Sequence, residues 1–215
     1  MRLILVRHGQ TTCNVQNIWH GWDHCELTAE GQSQAESVAA RLAGEPVAAV
    51  YSSDSRRAMQ TAAAIAAPHG LQPIPELDLR ERHAGAFEGL ALPDIVRRHP
   101  TVWLERDADL WGWTPPDGET LHTVLDRSLA VVDRLVARHP HETVVVVSHM
   151  TTVRALLSHL GHVPLAETYT LPFPSTGVTI ISIEDGESRL ELLNDASHVE
   201  DGATAADGAA APGSL

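Results

Sequence analysis

The sequence predicts an α/β fold, a three-layer α/β/α sandwich with a mostly parallel central sheet. Short aliphatic runs, typical of buried strands, alternate along the chain with segments whose apolar residues recur at helical spacing. The most strand-like run, residues 144–147, is unbroken and β-branched, as expected of a central parallel strand covered on both faces. Strands that alternate with helices over the whole length indicate one three-layer domain.

The elements of the first half have clear start and stop signals. Residues 3–6 are an aliphatic run that predicts the first strand. Thr28 is a candidate N-cap, and the apolar residues after it recur at helical spacing until Gly44 closes the helix. A second strand at residues 47–51 leads into a helix that ends at Pro68 and Gly70, and a weaker strand follows at residues 72–75.

In the second half, prolines and periodicity set the boundaries. A short helix begins at Pro93 and must finish before Pro100. We expect an irregular lid at residues 90–118, where three tryptophans lie among prolines and Gly118. The remaining predicted elements are a long helix from Leu121, the strand at 144–147, a helix from Thr151 to Gly161, and a hairpin that turns on Asp185 and Gly186.

The 215 residues suit a single domain, which we expect to occupy residues 1–199. Residues 200–215 are rich in Ala, Gly, Asp and Pro, and we expect a disordered tail. A net charge of −13 argues against nucleic acid or an anionic membrane surface as a partner. No apolar run is long enough to cross a bilayer and no signal peptide is visible, so we expect a cytoplasmic protein.

The two cysteines, Cys13 and Cys25, have neither a metal-binding nor a redox spacing. We therefore expect two free thiols, as is usual in the cytosol.

Polar, reactive residues follow three of the predicted strands. Arg7 and His8 follow the first strand, residues 52–57 follow the second, and Ser148 and His149 follow the strand at 144–147. The carboxyl ends of parallel strands meet at one edge of the sheet, where open α/β folds bind ligands. Guanidinium groups and helix N-termini bind oxyanions, so the sequence predicts a phosphate site at this edge.

Four motifs, in order, resemble those of the histidine phosphatase superfamily, also called the phosphoglycerate-mutase-like family. They are RHGQTTCN at residues 7–14, SSDSRRAMQTA at 52–62, RE followed by G and FEG within 80–89, and VSH at 147–149. In the second motif, the resemblance makes Arg57 the functional arginine and Arg56 a surface neighbour. The resemblance runs from residue 3 to about 199 and implies a phosphoglycerate-mutase-like fold.

The resemblance also implies roles for single residues. His8 would attack phosphorus to form a phosphohistidine, and Glu81 would protonate the leaving alkoxide and later accept a proton from water. The groups that would hold the phosphoryl oxygens are Arg7, Arg57, Asn14 and His149. Further substrate contacts are expected from Gln10, Gly21, Trp22 and Met150. Met150 stands where the family usually has glycine, which makes the shape of the pocket there unusual.

Several alternatives stay open at this point. Taken singly, His149 is more typical of a buried core histidine and Glu81 of a solvated ion pair, and only their occurrence with the first motif favours function. We expect no cofactor and no metal. The expected substrate is a small phosphorylated metabolite, hydrolysed by a metal-independent phosphatase. The alternatives are a phosphoglycerate mutase and a non-catalytic module that binds a phosphorylated ligand; a homodimer is left open.

The tryptophans of residues 90–118 allow two interpretations. Trp103, Trp111 and Trp113 could form an aromatic lid for an apolar or ring-bearing leaving group, or could pack this segment onto the domain. The only basic residues of the segment that could bind a substrate carboxylate are Arg97, Arg98 and Arg106.

Overall fold

Six of the eight strands form the central sheet of the chain, whose computed structural model describes residues 1–199. The strands are β1 (Arg2–Arg7), β2 (Ile18–Trp19), β3 (Val47–Ser53), β4 (Ile74–Glu76), β5 (Leu90–Ala91), β6 (Thr143–Ser148), β7 (Val178–Glu184) and β8 (Glu187–Asp195). The spatial order is β4-β3-β6-β1-β7-β8. Neighbours from β4 to β1 are parallel, whereas β7 is antiparallel to β1 and β8. The mostly parallel sheet is therefore confirmed.

Among residues 1–199, eight α-helices connect and cover the strands. They are α1 (Thr12–Val15), α2 (Ala29–Leu42), α3 (Arg56–Ala66), α4 (Leu92–Arg98), α5 (Pro100–Glu105), α6 (Leu121–Arg138), α7 (Met150–Leu160) and α8 (Leu165–Thr168). Thr28 caps α2 as predicted, because its side chain accepts a hydrogen bond from the amide of Gly31 at 3.0 Å. α5 lies inside the segment predicted to be irregular, and α8 was not predicted.

Two hydrophobic clusters show that helices cover both faces of the sheet. One cluster joins apolar residues of β1 and β6 to α6 and α7, and the other joins the opposite face of the same strands to α2 and α3. The four valines of residues 144–147 are fully buried, as expected of a central strand with helices on both sides. The three-layer α/β/α sandwich is confirmed.

The register of the sheet decides which motifs meet. β1 pairs with β6 so that Arg7 lies beside Ser148. β3 pairs with the other side of β6, and Ser52 lies beside Val147. The carboxyl ends of the three strands are thus adjacent, and the residues after them share one edge of the sheet.

The free thiols predicted for Cys13 and Cys25 are wrong, because the two cysteines form a disulfide. The loop folds back on itself through a β-bridge between Thr11 and Leu27, which brings the two Cα atoms to 6.0 Å. Spacing along the chain did not reveal this closure, since it depends on the path of the loop.

Two further expectations concern the C-terminal tail and membrane-spanning segments. The expected tail at residues 200–215 lies outside the described residues. Among residues 1–199, no helix is long and apolar enough to cross a membrane.

Candidate active site

Two histidines lie side by side at the carboxyl edge of the sheet. His8 follows β1 and His149 precedes α7, and their ring centroids are 5.1 Å apart. The amide of His8 donates to the carbonyl of Ser148 at 3.0 Å, so the β1–β6 ladder itself sets this pairing. Both side chains are almost completely buried.

His8 is held as a neutral imidazole with one defined tautomer. Its Nδ1 lies 2.8 Å from the carbonyl oxygen of Gly9, so Nδ1 carries the proton and Nε2 keeps its lone pair. Burial lowers the pKa of His8 well below its usual value, and the positive charges of Arg57 and Arg7 lower it further. The result is an unprotonated ring nitrogen inside a positively charged site.

Arg57 occupies the centre of the site. It is 1% exposed, and its guanidinium donates to the carbonyls of Gly21 at 2.8 Å and Asp23 at 3.0 Å. Burial lowers its pKa to about 10, which still leaves it charged at neutral pH. Within residues 1–199 its buried Nε has no hydrogen-bond partner. A buried N–H without a partner at a ligand site is a donor available to an oxyanion.

Arg56, by contrast, lies on the surface. Its side chain is 63% exposed and forms an ion pair with Glu26. The neighbouring arginines of α3 therefore have opposite environments, as the motif predicts.

His149 is bound on both sides of its ring. Nη2 of Arg57 lies 3.2 Å from Nδ1, which must accept, because a guanidinium can only donate. Nε2 then carries the proton and donates to Oγ of Ser53 at 2.9 Å. Burial lowers the pKa of His149 well below its usual value, with Arg57 the next cause. His149 is thus neutral and coupled directly to Arg57.

Arg7 supplies the second buried guanidinium of the site. It is 3% exposed at the end of β1, and its Nη1 donates to the carbonyl of Phe173. Its charge contributes to the low pKa of His8.

Glu81 approaches the same edge from the segment after β4. One carboxylate oxygen accepts from the amide of Arg82 at 2.7 Å, and the other accepts from the amide of Thr151 at 3.2 Å. Arg127 of α6 fixes the backbone here, because it donates to the carbonyls of Arg80 and Glu81 at 2.7 and 3.0 Å. The carboxylate is therefore held against the first turn of α7, next to His149.

A cavity of about 280 Å³ opens at this point. Its wall is formed by Gly21, Trp22, His24, Asp54, Ser55, Arg57, Arg80, Glu81 and His149. His8 is not among these wall residues and lies beside one of them, His149. The structure thus gathers Arg57, Glu81 and His149 around one cavity, with His8 and Arg7 buried next to them.

The remaining predicted contacts divide into two groups. Gly21 and Trp22 line the cavity, and Gly21 has a positive φ of 37° beside the carboxylate of Glu88, where a side chain would collide. The side-chain oxygens of Asn14 and Gln10 instead accept hydrogen bonds from nearby residues of the chain. Asn14 Oδ1 accepts from the amide and hydroxyl of Thr11, and Gln10 Oε1 accepts from the hydroxyl of Thr28, the cap of α2.

Met150 packs toward the hydrophobic core beneath α7 and is not part of the cavity wall. The unusual pocket shape expected from this side chain is therefore not seen.

Sequence reasoning missed the outer part of the cavity. Asp54 and Arg80 form a two-bond ion pair at its rim, with distances of 2.7 and 2.5 Å. Arg80 also lies over the ring of Trp22 at 5.0 Å, and Trp22 Nε1 donates to the carbonyl of Glu81. The position of Asp54 directly after β3 was the available signal, since residues at that point of a parallel strand face the ligand edge.

His20 was also missed as a neighbour of the site. Its ring centroid is 6.2 Å from that of His8, and burial lowers its pKa to about 4.

The interpretation of these tryptophans as an aromatic lid over the pocket is wrong. Trp103 and Trp113 pack with Trp19 and Phe87 in a separate hydrophobic cluster, and Trp111 stacks on His122. None of the three predicted lid tryptophans lines the cavity. The second interpretation, in which they pack the segment onto the domain, is confirmed.

Comparison with known proteins identifies the class to which this fold and site belong. The family model of the histidine phosphatase superfamily, branch 1, matches residues 3–196. The chain belongs to the histidine phosphatase superfamily.

Two relatives and one solved structure illustrate the likeness. Phosphoglycerate mutase-like protein 4 of Arabidopsis thaliana is 33% identical over 207 residues, which are 93% of this chain and 87% of the relative. The metal-independent phosphoserine phosphatase of the same plant is 30% identical over 205 residues, 92% of this chain and 82% of the relative. The structure of Bacillus stearothermophilus YhfR has a TM-score of 0.86 at 31% identity and covers 93% of this chain and 99% of its own.

Proposed function

We propose that the protein is a metal-independent phosphatase that hydrolyses small phosphomonoesters through a phosphohistidine on His8. The observation that carries this proposal is a buried, neutral imidazole beside two buried guanidinium groups. A lone pair in a cationic site suits attack on phosphorus, because the same charges attract the phosphoryl oxygens.

In the first half of the reaction, Nε2 of His8 attacks phosphorus and the bond from phosphorus to the ester oxygen breaks. Nδ1–H stays bonded to Gly9, so the positive charge that develops on the ring is stabilised by a carbonyl oxygen. Arg57 and Arg7 stabilise the charge on the non-bridging oxygens. A guanidinium already held by backbone carbonyls needs little reorganisation at this step.

Glu81 completes both halves of the reaction. Its protonated carboxyl gives a proton to the leaving alkoxide, and the resulting carboxylate takes a proton from a water molecule. That water attacks the phosphohistidine, so inorganic phosphate leaves and His8 is restored. Two backbone amides hold the carboxylate at the cavity wall, which supports this role.

The structure favours hydrolysis over the mutase alternative. The basic residues available for a substrate carboxylate in residues 90–118 are engaged elsewhere: Arg97 pairs with Asp94 on the surface, and Arg106 lies over Trp103. None of them, nor Arg98, lines the cavity. The relative named as a phosphoserine phosphatase also supports hydrolysis, whereas the relative named as phosphoglycerate mutase-like makes the mutase the alternative to be tested.

The cavity supports a small, polar leaving group. Its volume of about 280 Å³ is at the lower end of ligand pockets, and its outer wall holds the charged pair of Asp54 and Arg80. We expect phosphoesters of small amino or hydroxy acids to be better substrates than esters with large apolar groups.

Phosphate release from p-nitrophenyl phosphate, O-phosphoserine and 3-phosphoglycerate, measured with excess chelator, tests the proposal. Release without added metal is expected, and acid-labile phosphate should be trapped on the enzyme and lost in His8→Ala. That variant should lose activity by about 10⁴-fold or more, as expected when a nucleophile is removed. His141→Ala, on the exposed surface, is the control.

Three outcomes would overturn the proposal. Interconversion of 2- and 3-phosphoglycerate without phosphate release would make the protein a mutase. An active His8→Ala variant would remove the nucleophile. Substrate binding without turnover by the wild-type chain would favour a non-catalytic module.

A cytoplasmic location and a homodimer are two further proposals. The disulfide removes the support that free thiols would have given to a cytoplasmic location. Cell fractionation and light scattering test the two expectations separately.

A further inference from the structure

Helix α1 and the segment between α1 and α2 bring two sulfur atoms and an imidazole together beside the site. One ring nitrogen of His20 and the sulfurs of Cys13 and Cys25 all lie within 4.8 Å of one another. The β-bridge between Thr11 and Leu27 closes the loop, so the grouping does not depend on the disulfide alone. The proposed phosphoryl transfer uses none of the three side chains.

The hydrogen bond of His20 is compatible with a role as a metal ligand. Its Nδ1 lies 3.1 Å from the carbonyl oxygen of Ile18, so Nδ1 carries the proton and the lone pair is on Nε2. Histidines that bind metals usually donate their other ring N–H to a carbonyl or carboxylate, which orients the ring. Within residues 1–199, Nε2 of His20 makes no hydrogen bond.

Two cysteines and one histidine form a donor set that suits a thiophilic divalent cation. Zn²⁺ binds thiolate and imidazole in tetrahedral sites, and a Cys₂His set leaves its fourth position for water. The oxidised pair offers no thiolate, so the site requires the reduced chain. A dithiol reductant supplies it: the Cys13–Cys25 bond breaks, the dithiol becomes a disulfide, and both cysteines become thiols.

We propose that the reduced side chains of Cys13 and Cys25, together with His20, bind one divalent zinc-like cation. The cation replaces one proton on each thiol, so two protons are released for each ion bound. The site is separate from the proposed chemistry but close to it, since the rings of His20 and His8 are 6.2 Å apart. The same loop carries the carbonyls of Gly21 and Asp23 that hold Arg57, which links the loop to the phosphate site.

Titration of the full chain with Co²⁺, a spectroscopic substitute for Zn²⁺, tests this proposal. After reduction by a dithiol and its removal without oxygen, we expect one Co²⁺ per chain with a sulfur-to-cobalt charge-transfer band. Zn²⁺ should displace it. The disulfide form should lack the band. A reduced chain without the band would overturn the proposal.

Single variants assign the ligands. Cys25→Ser should lower the intensity of the sulfur-to-cobalt band, because one of the two thiolates is lost. His20→Gln should weaken Co²⁺ binding by more than about 100-fold, because even groups that only hydrogen-bond a ligand contribute 10- to 100-fold to metal affinity. The exposed His141→Gln is the matched control and should bind Co²⁺ like the wild type. Unchanged binding in His20→Gln, with its circular dichroism intact, would exclude His20 as a ligand and contradict the proposal. The binding measurement needs no catalysis, so it fails or succeeds independently of the phosphatase activity.

Discussion

The chemistry proposed for His8 depends on the charge state of one ring. In water, a histidine is largely protonated below pH 6.5 and cannot act as a nucleophile. Here, burial and the two neighbouring arginines favour the neutral ring. In the proposed mechanism the same arginines attract phosphate, so one electrostatic feature would serve both the nucleophile and the substrate.

The first prediction at the residue scale concerns pH. Because the pKa of His8 is lowered from 6.5, its ring stays neutral as the pH falls through 6.5. We expect the acid limb of kcat/KM for the wild-type enzyme to lie below pH 6.5. A pH profile with p-nitrophenyl phosphate, corrected for the ionisation of the substrate, measures this limb. An acid limb at or above pH 6.5 would contradict the assignment.

The second prediction uses the two adjacent arginines of α3. Arg57→Lys keeps the charge but cannot reproduce the fork that bonds Gly21, Asp23 and His149, so we expect a loss of about 100-fold in kcat/KM. Arg56→Lys, the matched control, should change the rate less than twofold, because Arg56 is a surface residue paired with Glu26. A loss of less than twofold in Arg57→Lys as well would contradict the prediction and show that the positive charge of Arg57 is sufficient without its fork.

At the scale of elements, α6 positions the proposed proton donor. Arg127 donates to the carbonyls of Arg80 and Glu81 and pairs with Glu119, which itself accepts from the amide of His83. These bonds connect a helix of one layer to the segment at the cavity wall. Arg127 touches no reacting atom and acts as a positioning residue.

Arg127→Lys should lower kcat by about 10- to 100-fold with little change in KM, since a small displacement of a catalytic group has effects of this size. The lysine keeps one charge but loses the fork that binds three backbone carbonyls and the carboxylate of Glu119. Steady-state kinetics of Arg127→Lys and of Arg134→Lys make the comparison, because Arg134 lies on the same helix with an exposed side chain. A fall in thermal stability with kcat unchanged would assign Arg127 a purely structural role.

A further prediction at this scale concerns the loop that holds Cys13 and Cys25. If the reduced loop binds Zn²⁺, the ion reorders the segment whose carbonyls hold Arg57, and phosphatase activity should fall at equimolar Zn²⁺. The disulfide form should be insensitive at that concentration. Phosphate release with and without dithiol treatment measures the difference. Equal inhibition of both forms would place the inhibitory ion elsewhere.

At the scale of the whole molecule, the buried histidines make folding sensitive to acid. Below pH 6.5 the unfolded chain binds protons at His8 and His149, whereas the native chain does not, because both pKa values are lowered. More protons on the unfolded state mean that the free energy of unfolding decreases as the pH falls. Each such proton contributes a slope of up to about 1.4 kcal/mol per pH unit.

We therefore expect the free energy of unfolding to fall steadily from pH 7 to pH 5, as measured by urea denaturation. His149→Gln should flatten this dependence, whereas the exposed His141→Gln should not. A free energy of unfolding that is constant over this range would contradict the prediction, because the buried histidines would then be protonated in the native state as they are in the unfolded state.

The fold and the centre of the site could be predicted to a large extent because both depend on local patterns and one rule of topology. Aliphatic runs and caps such as Thr28 defined the strands and helices, and parallel strands place the residues after them at a common edge. That rule placed Arg7, His8, Arg57 and His149 together before any distance was known. The four motifs then indicated the family.

The parts that could not be predicted depend on contacts between positions with no periodic relation. Thr11 pairs with Leu27, and this turns two isolated cysteines into a disulfide. Trp103 and Trp113 pack with Trp19 and Phe87, whereas Trp111 stacks on His122. The rim of the cavity is therefore charged and not aromatic.

By itself, then, the sequence determined the layers, the order of the elements and the reactive residues at the sheet edge, because periodicity and strand ends depend on residues that are close together in the sequence. Only the tertiary structure decided the state of the cysteines, the wall of the cavity and the anchoring of Glu81 by Arg127. Each of these depends on how loops and helices fold back over the sheet, where long-range packing chooses among partners that local sequence leaves equivalent.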